Sequence, residues 1–106
     1  MTEESNRPEI AHRLLIVDDE ESIRVSLAEA LADSTTQVLT ASNGNEAMTI
    51  LGSEVIDLVL LDQKLKESGE DGIDILREVR RVHPDVVTIM MTAFGRIDSA
   101  VEATKL

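Results

Sequence analysis

Four short runs of apolar residues punctuate the chain: Leu14-Leu15-Ile16-Val17, Val38-Leu39-Thr40-Ala41, Leu58-Val59-Leu60-Leu61 and Val86-Val87-Thr88-Ile89-Met90-Met91. Their apolar positions are consecutive rather than alternating. That pattern predicts strands covered on both faces, as in a parallel sheet. Between the runs, apolar residues recur at spacings of three and four, which predicts helices. The stripes are Ile23, Leu27, Ala30 and Leu31; Ala47, Ile50 and Leu51, closed by Gly52; Ile73, Leu76 and Val79; and Ile97, Ala100, Val101 and Thr104. The third helix should end near His83, because Pro84 disfavours helical backbone before it. The resulting order, βαβαβαβα, implies right-handed crossovers and helices on both sheet faces. Residues 1–12 are charged, contain Pro8 and lack periodicity, so they predict a mobile tail ahead of a single domain over 13–106. A doubly wound sheet of this size usually gains another strand and helix, so the domain is expected to be incomplete at its C-terminus.

Composition narrows the function. The formal net charge is -11, which argues against electrostatic nucleic-acid binding by this segment, since phosphate backbones need a basic face. There is no cysteine, and the two histidines, His12 and His83, are far apart in sequence. Disulfides, thiolate catalysis and zinc–thiolate sites are thereby excluded. No apolar run approaches the ~18 residues a membrane span needs, and the polar N-terminus has no signal-peptide core. A cytoplasmic location is the expectation. Phe94 is the only aromatic residue, so Leu, Ile, Val, Met and Ala must build the core.

The chemistry gathers at strand ends. Asp18 and Asp19 follow the first apolar run, and Asp62 follows the third. In open parallel sheets, ligand sites form at the carboxyl ends of strands where strand order reverses. If the first and third strands are neighbours, three carboxylates converge there and repel one another. Oxygen-only donors favour a hard cation, Mg²⁺ or Ca²⁺. Mg²⁺ is preferred because it keeps several waters and pairs readily with phosphate. A carboxylate can also attack phosphorus and form an acyl phosphate. Asp62, alone at the end of the most uniformly apolar run, is the candidate nucleophile, with Asp18 and Asp19 as metal holders. Thr92 follows the fourth run, where its hydroxyl could donate to a phosphoryl oxygen, and the small Ala93 leaves room for a donor.

The motifs LLIVDDE (14–20), LVLLD (58–62), DG (71–72) and IMMTA (89–93) together resemble the receiver domains of two-component response regulators. The phrase MTAFGRIDSAVEATKL (91–106) is most similar to receivers attached to sigma-54-dependent transcription activators. The resemblance covers about residues 13–106. It implies a flavodoxin-like doubly wound α/β fold with strand order 2-1-3-4-5, here lacking the last strand and helix. It further implies that Asp62 is the phosphoacceptor and that Asp19 and Asp62 bind Mg²⁺ directly. Asp18 would bind mostly through water, the backbone carbonyl of Lys64 would complete the ligands, and Thr92 would be the switch hydroxyl. A sensor histidine kinase is the implied donor, and a surface around helix 4 the implied output. Self-phosphorylation of this kind is not turnover, so the chain is not expected to act as an enzyme.

Two departures from the family pattern stand out. The loop Gln63–Gly72 carries Lys66 where Pro is common and is about two residues longer than usual. The family's Lys at the end of strand five, and the aromatic partner of the switch, lie beyond Leu106. A homodimer, including a segment-swapped one, is therefore among the expected partners. Blander readings compete. Asp18 and Asp19 could be acids at a helix start, which favours negative charge. Asp62 could be a loop acid, and Thr92 a turn residue. An aspartyl phosphatase would need a second Asp two residues after Asp62, where Lys64 stands. A phosphorylation-independent docking or dimerisation module is the remaining alternative, and the joint set of Asp18, Asp19, Asp62 and Thr92 argues against it.

Overall fold

The computed structural model describes residues 9–65 and 70–91. Strands β1 (His12–Val17), β2 (Thr36–Ala41), β3 (Leu58–Asp62) and β6 (Val87–Met91) form one parallel sheet in the order β2-β1-β3-β6. Helices α1 (Glu21–Leu31), α2 (Gly44–Ser53) and α3 (Gly72–Val82) make the crossovers. Two short strands, β4 (Lys64–Leu65) and β5 (Glu70–Asp71), pair antiparallel inside the third crossover. The sheet is thus the expected flavodoxin-like arrangement, 2-1-3-4, over the described residues. The expected fourth helix over 97–106 lies outside them.

β1 and β2 each begin two residues before their apolar run. His12↔Thr36 and Arg13↔Gln37 extend the ladder, and Ala11 N–H also donates to Thr35 O at 2.7 Å. The sheet therefore begins at His12, one residue inside the segment expected to be a tail. Polar residues are tolerated there because their side chains are exposed or half-buried.

The two sheet faces are covered unequally. Leu15, Val17, Ala41, Val59 and Leu61 pack with Ala47 and Leu51 of α2 and with Ile75, Leu76 and Val79 of α3 in one core. Side chains alternate along a strand, so Leu14, Ile16, Leu58, Leu60, Val87 and Ile89 share the opposite face. There α1 lies over β1 and β2, and none of its residues is buried. Toward β6 the apolar surface opens, with Val87 58% and Ile89 48% exposed. The expectation of strands buried on both faces therefore holds for β1, where Leu15, Ile16 and Val17 are fully buried, and over the described residues it is not met for β6. A run of apolar residues signals what a strand can bury; the helices over it decide what is buried.

Helix boundaries follow local chemistry. Asn43 caps α2, its side-chain oxygen accepting from Glu46 N–H at 2.9 Å. Glu46 reaches back to accept from Ser42 N–H at 2.8 Å, a displaced form of the capping box. Asp71 caps α3 by accepting from Ile73 N–H at 2.9 Å, and His83 ends it before Pro84. Gly52 does not close α2, which continues to Ser53. A Cβ built on Gly52 meets nothing within 4 Å. Gly52→Ala is therefore expected to stabilise the chain by about 0.5–1 kcal/mol, read as a higher urea midpoint with an unchanged slope. A lower midpoint would mean that helical backbone there is strained.

Candidate functional site

Register assembles the site. β1 and β3 are direct neighbours with Val17 opposite Leu61, so the residues that follow, Asp18 and Asp62, emerge side by side. One carboxylate oxygen from each of Asp18, Asp19 and Asp62 lies within 4.8 Å of the others. Asp18 is 3% and Asp19 8% exposed, while Asp62 is half-buried. The sequence expectation that three acids converge at the carboxyl edge of the sheet is met. The spacing and the purely oxygen donor set fit a hard divalent cation. Burying several like charges in one cup is otherwise costly.

Each acid is held by backbone that the fold fixes. Asp18 N–H donates to Ala41 O at 3.1 Å, tying the loop to the end of β2. Asp18 Oδ1 accepts from Glu20 N–H at 2.9 Å, at the entry to α1. One Asp18 oxygen is thus engaged in turning the chain into the helix, and the other remains for a cation or its water. Arg24, in the first turns of α1, reaches back so that Nη1 donates to Asp18 O at 2.6 Å. On the neighbouring strand, Gln63 N–H donates to Met91 O at 3.0 Å, and Gly72 N–H to Gln63 O at 2.7 Å. The β4–β5 hairpin therefore returns the chain directly onto the backbone behind Asp62. The loop that looked long in sequence is closed by this pairing, Lys64 opposite Asp71 and Leu65 opposite Glu70. Leu65 is fully buried and anchors it in the core.

The backbone N–H and hydroxyl of Ser42, and to a smaller extent the charge of Arg24, hold the Glu46 carboxyl below its ordinary range. Neither Arg24 nor the close packing of Gly72 was singled out from the sequence. Arg24 had one legible signal: a cation near a helix N-terminus, where the dipole favours acids. Lys64 lies in β4, two residues beyond Asp62. Thr92, Ala93 and Phe94 lie outside the described residues. A cavity of about 380 Å³ opens between α2 and α3, lined among others by Asn45, Met48, Asp74 and Ile75. None of the three clustered acids lines it. No helix among the described residues is long and apolar enough to cross a membrane.

Comparison with known proteins gives a consistent result. The family model for the response regulator receiver domain matches residues 14–106. The sporulation initiation phosphotransferase F of Bacillus subtilis (strain 168) is 39% identical over 94 residues, which are 89% of this chain and 74% of that protein. The DNA-binding transcriptional regulator NtrC of Salmonella typhimurium (strain LT2) is 39% identical over 88 residues, 83% of this chain but only 18% of that protein. The crystal structure of the receiver domain of NtrX from Brucella abortus superposes with a TM-score of 0.80 at 34% identity, covering 87% of this chain and 77% of that one. TrrA from Thermotoga maritima, crystallised with Mg²⁺ and BeF, gives a TM-score of 0.74 at 36% identity, covering 87% of this chain and 80% of that one. The transcription regulator NtrC is thus about five times longer than the part this chain spans.

Proposed function

Because this chain belongs to the response regulator receiver domain family, we propose that it accepts a phosphoryl group on Asp62, in the presence of Mg²⁺, from a sensor histidine kinase. The observation that carries this reading is the trio of carboxylate oxygens, Asp18, Asp19 and Asp62, within 4.8 Å at one edge of the sheet. A solved relative, TrrA, is recorded with Mg²⁺ and BeF, a pairing that suits the same kind of site.

The residues divide the work by position. Asp62 ends a rigid central strand, so its carboxylate is held still for in-line attack on phosphorus. A bond forms between an Asp62 carboxylate oxygen and phosphorus while the bond from phosphorus to the donor imidazole nitrogen breaks. The electron pair leaves with that nitrogen, which takes up a proton. Asp18, Asp19 and Asp62, with the Lys64 backbone carbonyl, would hold Mg²⁺. When bound, the ion neutralises charge on the phosphoryl oxygens. Asp18, with one oxygen on Glu20 N–H, suits a water-mediated contact. The Thr92 hydroxyl would donate to the phosphoryl oxygen after transfer, biasing a two-state surface that includes helix 4.

The chain promotes its own modification and does not turn over a substrate. NtrC is a DNA-binding transcriptional regulator, and residues 91–106 resemble receivers of sigma-54-dependent activators, so control of transcription through an attached output domain is the matching biological role, in the cytoplasm. Intact-mass measurement after treatment with acetyl phosphate tests the chemistry. One phosphoryl adduct is expected with Mg²⁺ and none with excess chelator. An unmodified mass with Mg²⁺ present would overturn the reading.

A further inference from the structure

The position of Arg24 is unusual for a surface helix. It is the fourth residue of α1, where the helix field disfavours a cation, and among the described residues no ion pair joins it to an acid of its own helix. It is half-buried, and its Nη1 donates to the carbonyl of Asp18 at 2.6 Å. Its charge also reaches Glu46 at the start of α2, which is itself tied to Ser42 by N–H and hydroxyl contacts of 2.8 and 2.9 Å. The other described arginines lie elsewhere: Arg13 at the start of β1, and Arg77, Arg80 and Arg81 in the body and last turn of α3.

We propose that Arg24 is a positioning residue for the acidic site: through the Asp18 carbonyl it fixes the turn that presents Asp18 and Asp19. The inference rests on the reading that these acids hold a divalent cation. A group that orients metal ligands characteristically changes affinity by about 10–100-fold when removed.

Physics supplies a contrary expectation that makes the proposal testable. A cation next to a cation site repels Mg²⁺ through space, so if Arg24 acted only as a charge, its removal would tighten binding. If it acts by geometry, removal weakens binding. Lysine separates the two further, because it keeps the charge but lacks the planar guanidinium fork.

The experiment is an Mg²⁺ titration of the full chain, followed by backbone amide shifts, for wild type, Arg24→Gln and Arg24→Lys. Amide exchange of Glu20 and Asp18 in metal-free protein provides a second readout. Arg24→Gln is expected to weaken Mg²⁺ binding by about tenfold or more and to speed exchange at Glu20. Arg24→Lys should fall between Arg24→Gln and wild type. Equal or tighter binding in Arg24→Gln, with unchanged exchange, overturns the positioning role. Amide shifts of β1 and β3 that match wild type show that each variant is folded. Failure of wild type itself to bind Mg²⁺ would count against the metal-site reading instead.

Discussion

Asp62→Asn is expected to abolish phosphoryl transfer to the chain altogether. The amide nitrogen of asparagine is not nucleophilic toward phosphorus, and no acyl phosphate can form on it. The substitution keeps side-chain shape, so the half-buried position behind Leu61 should stay packed. Its second effect falls on cation binding. Three clustered carboxylates become two, and a hard divalent ion loses both a ligand and a full negative charge. Mg²⁺ affinity should drop by at least about tenfold, in line with the loss of one charged ligand from a small site. Intact-mass spectra with acetyl phosphate and Mg²⁺, alongside an Mg²⁺ titration, measure both. A phosphoryl adduct that persists in Asp62→Asn would place the acceptor elsewhere. An unchanged Mg²⁺ affinity would place the ion elsewhere.

Gly72→Ala should have the largest effect on stability. A Cβ at this position would overlap the carbonyl oxygen of Asp62 and come within 2.8 Å of both Cα and O of Gln63. All three obstacles are backbone atoms, which cannot swing aside as a long side chain can. Gly72 also donates its N–H to Gln63 O at 2.7 Å, so the two segments cannot separate without losing that bond. Relief requires moving either β3 or the first turn of α3, and both belong to the core. The cost is expected to be about 3 kcal/mol, the upper part of the usual range for overpacking. In a domain whose whole stability is of order 5–15 kcal/mol, that loss is large. Urea unfolding followed by circular dichroism measures it, since the chain has no tryptophan to report. A midpoint equal to wild type would mean that the hairpin has another way back to Asp62. The same substitution should also blunt phosphorylation, because the displaced backbone carries Asp62, the proposed acceptor.

The sheet and the acid site were legible in the sequence for one reason. Consecutive apolar residues ending in Asp mark a central parallel strand and its functional tip together, as in Leu58–Asp62. The stripe on α3 was also readable in Leu76 and Val79, though the buried Ile75, four residues before Val79 on the same face, was not named with them. Other features depend on tertiary partners that no local pattern announces. The stripe Ile23, Leu27 and Leu31 looks core-facing, yet α1 buries none of its residues, because burial is decided by what covers the helix rather than by its own periodicity. The pairing of Lys64 and Leu65 with Glu70 and Asp71 is too short for alternation to reveal. A loop longer than usual was visible; its closure into a ladder was not. Arg24 is ordinary as a letter and becomes informative only through the carbonyl it contacts.

The in-step pairing of β1 with β3, Val17 against Leu61, has an implication for how the chain reaches its native state. Sliding one strand past the other by a single residue would turn its side chains to the wrong face and also scatter the acids. A divalent ion can therefore reward only the correctly threaded sheet. With Mg²⁺ held as proposed, the ion would act as an inspector of assembly: misaligned chains would forgo its stabilisation and become the ones exposed to proteolysis.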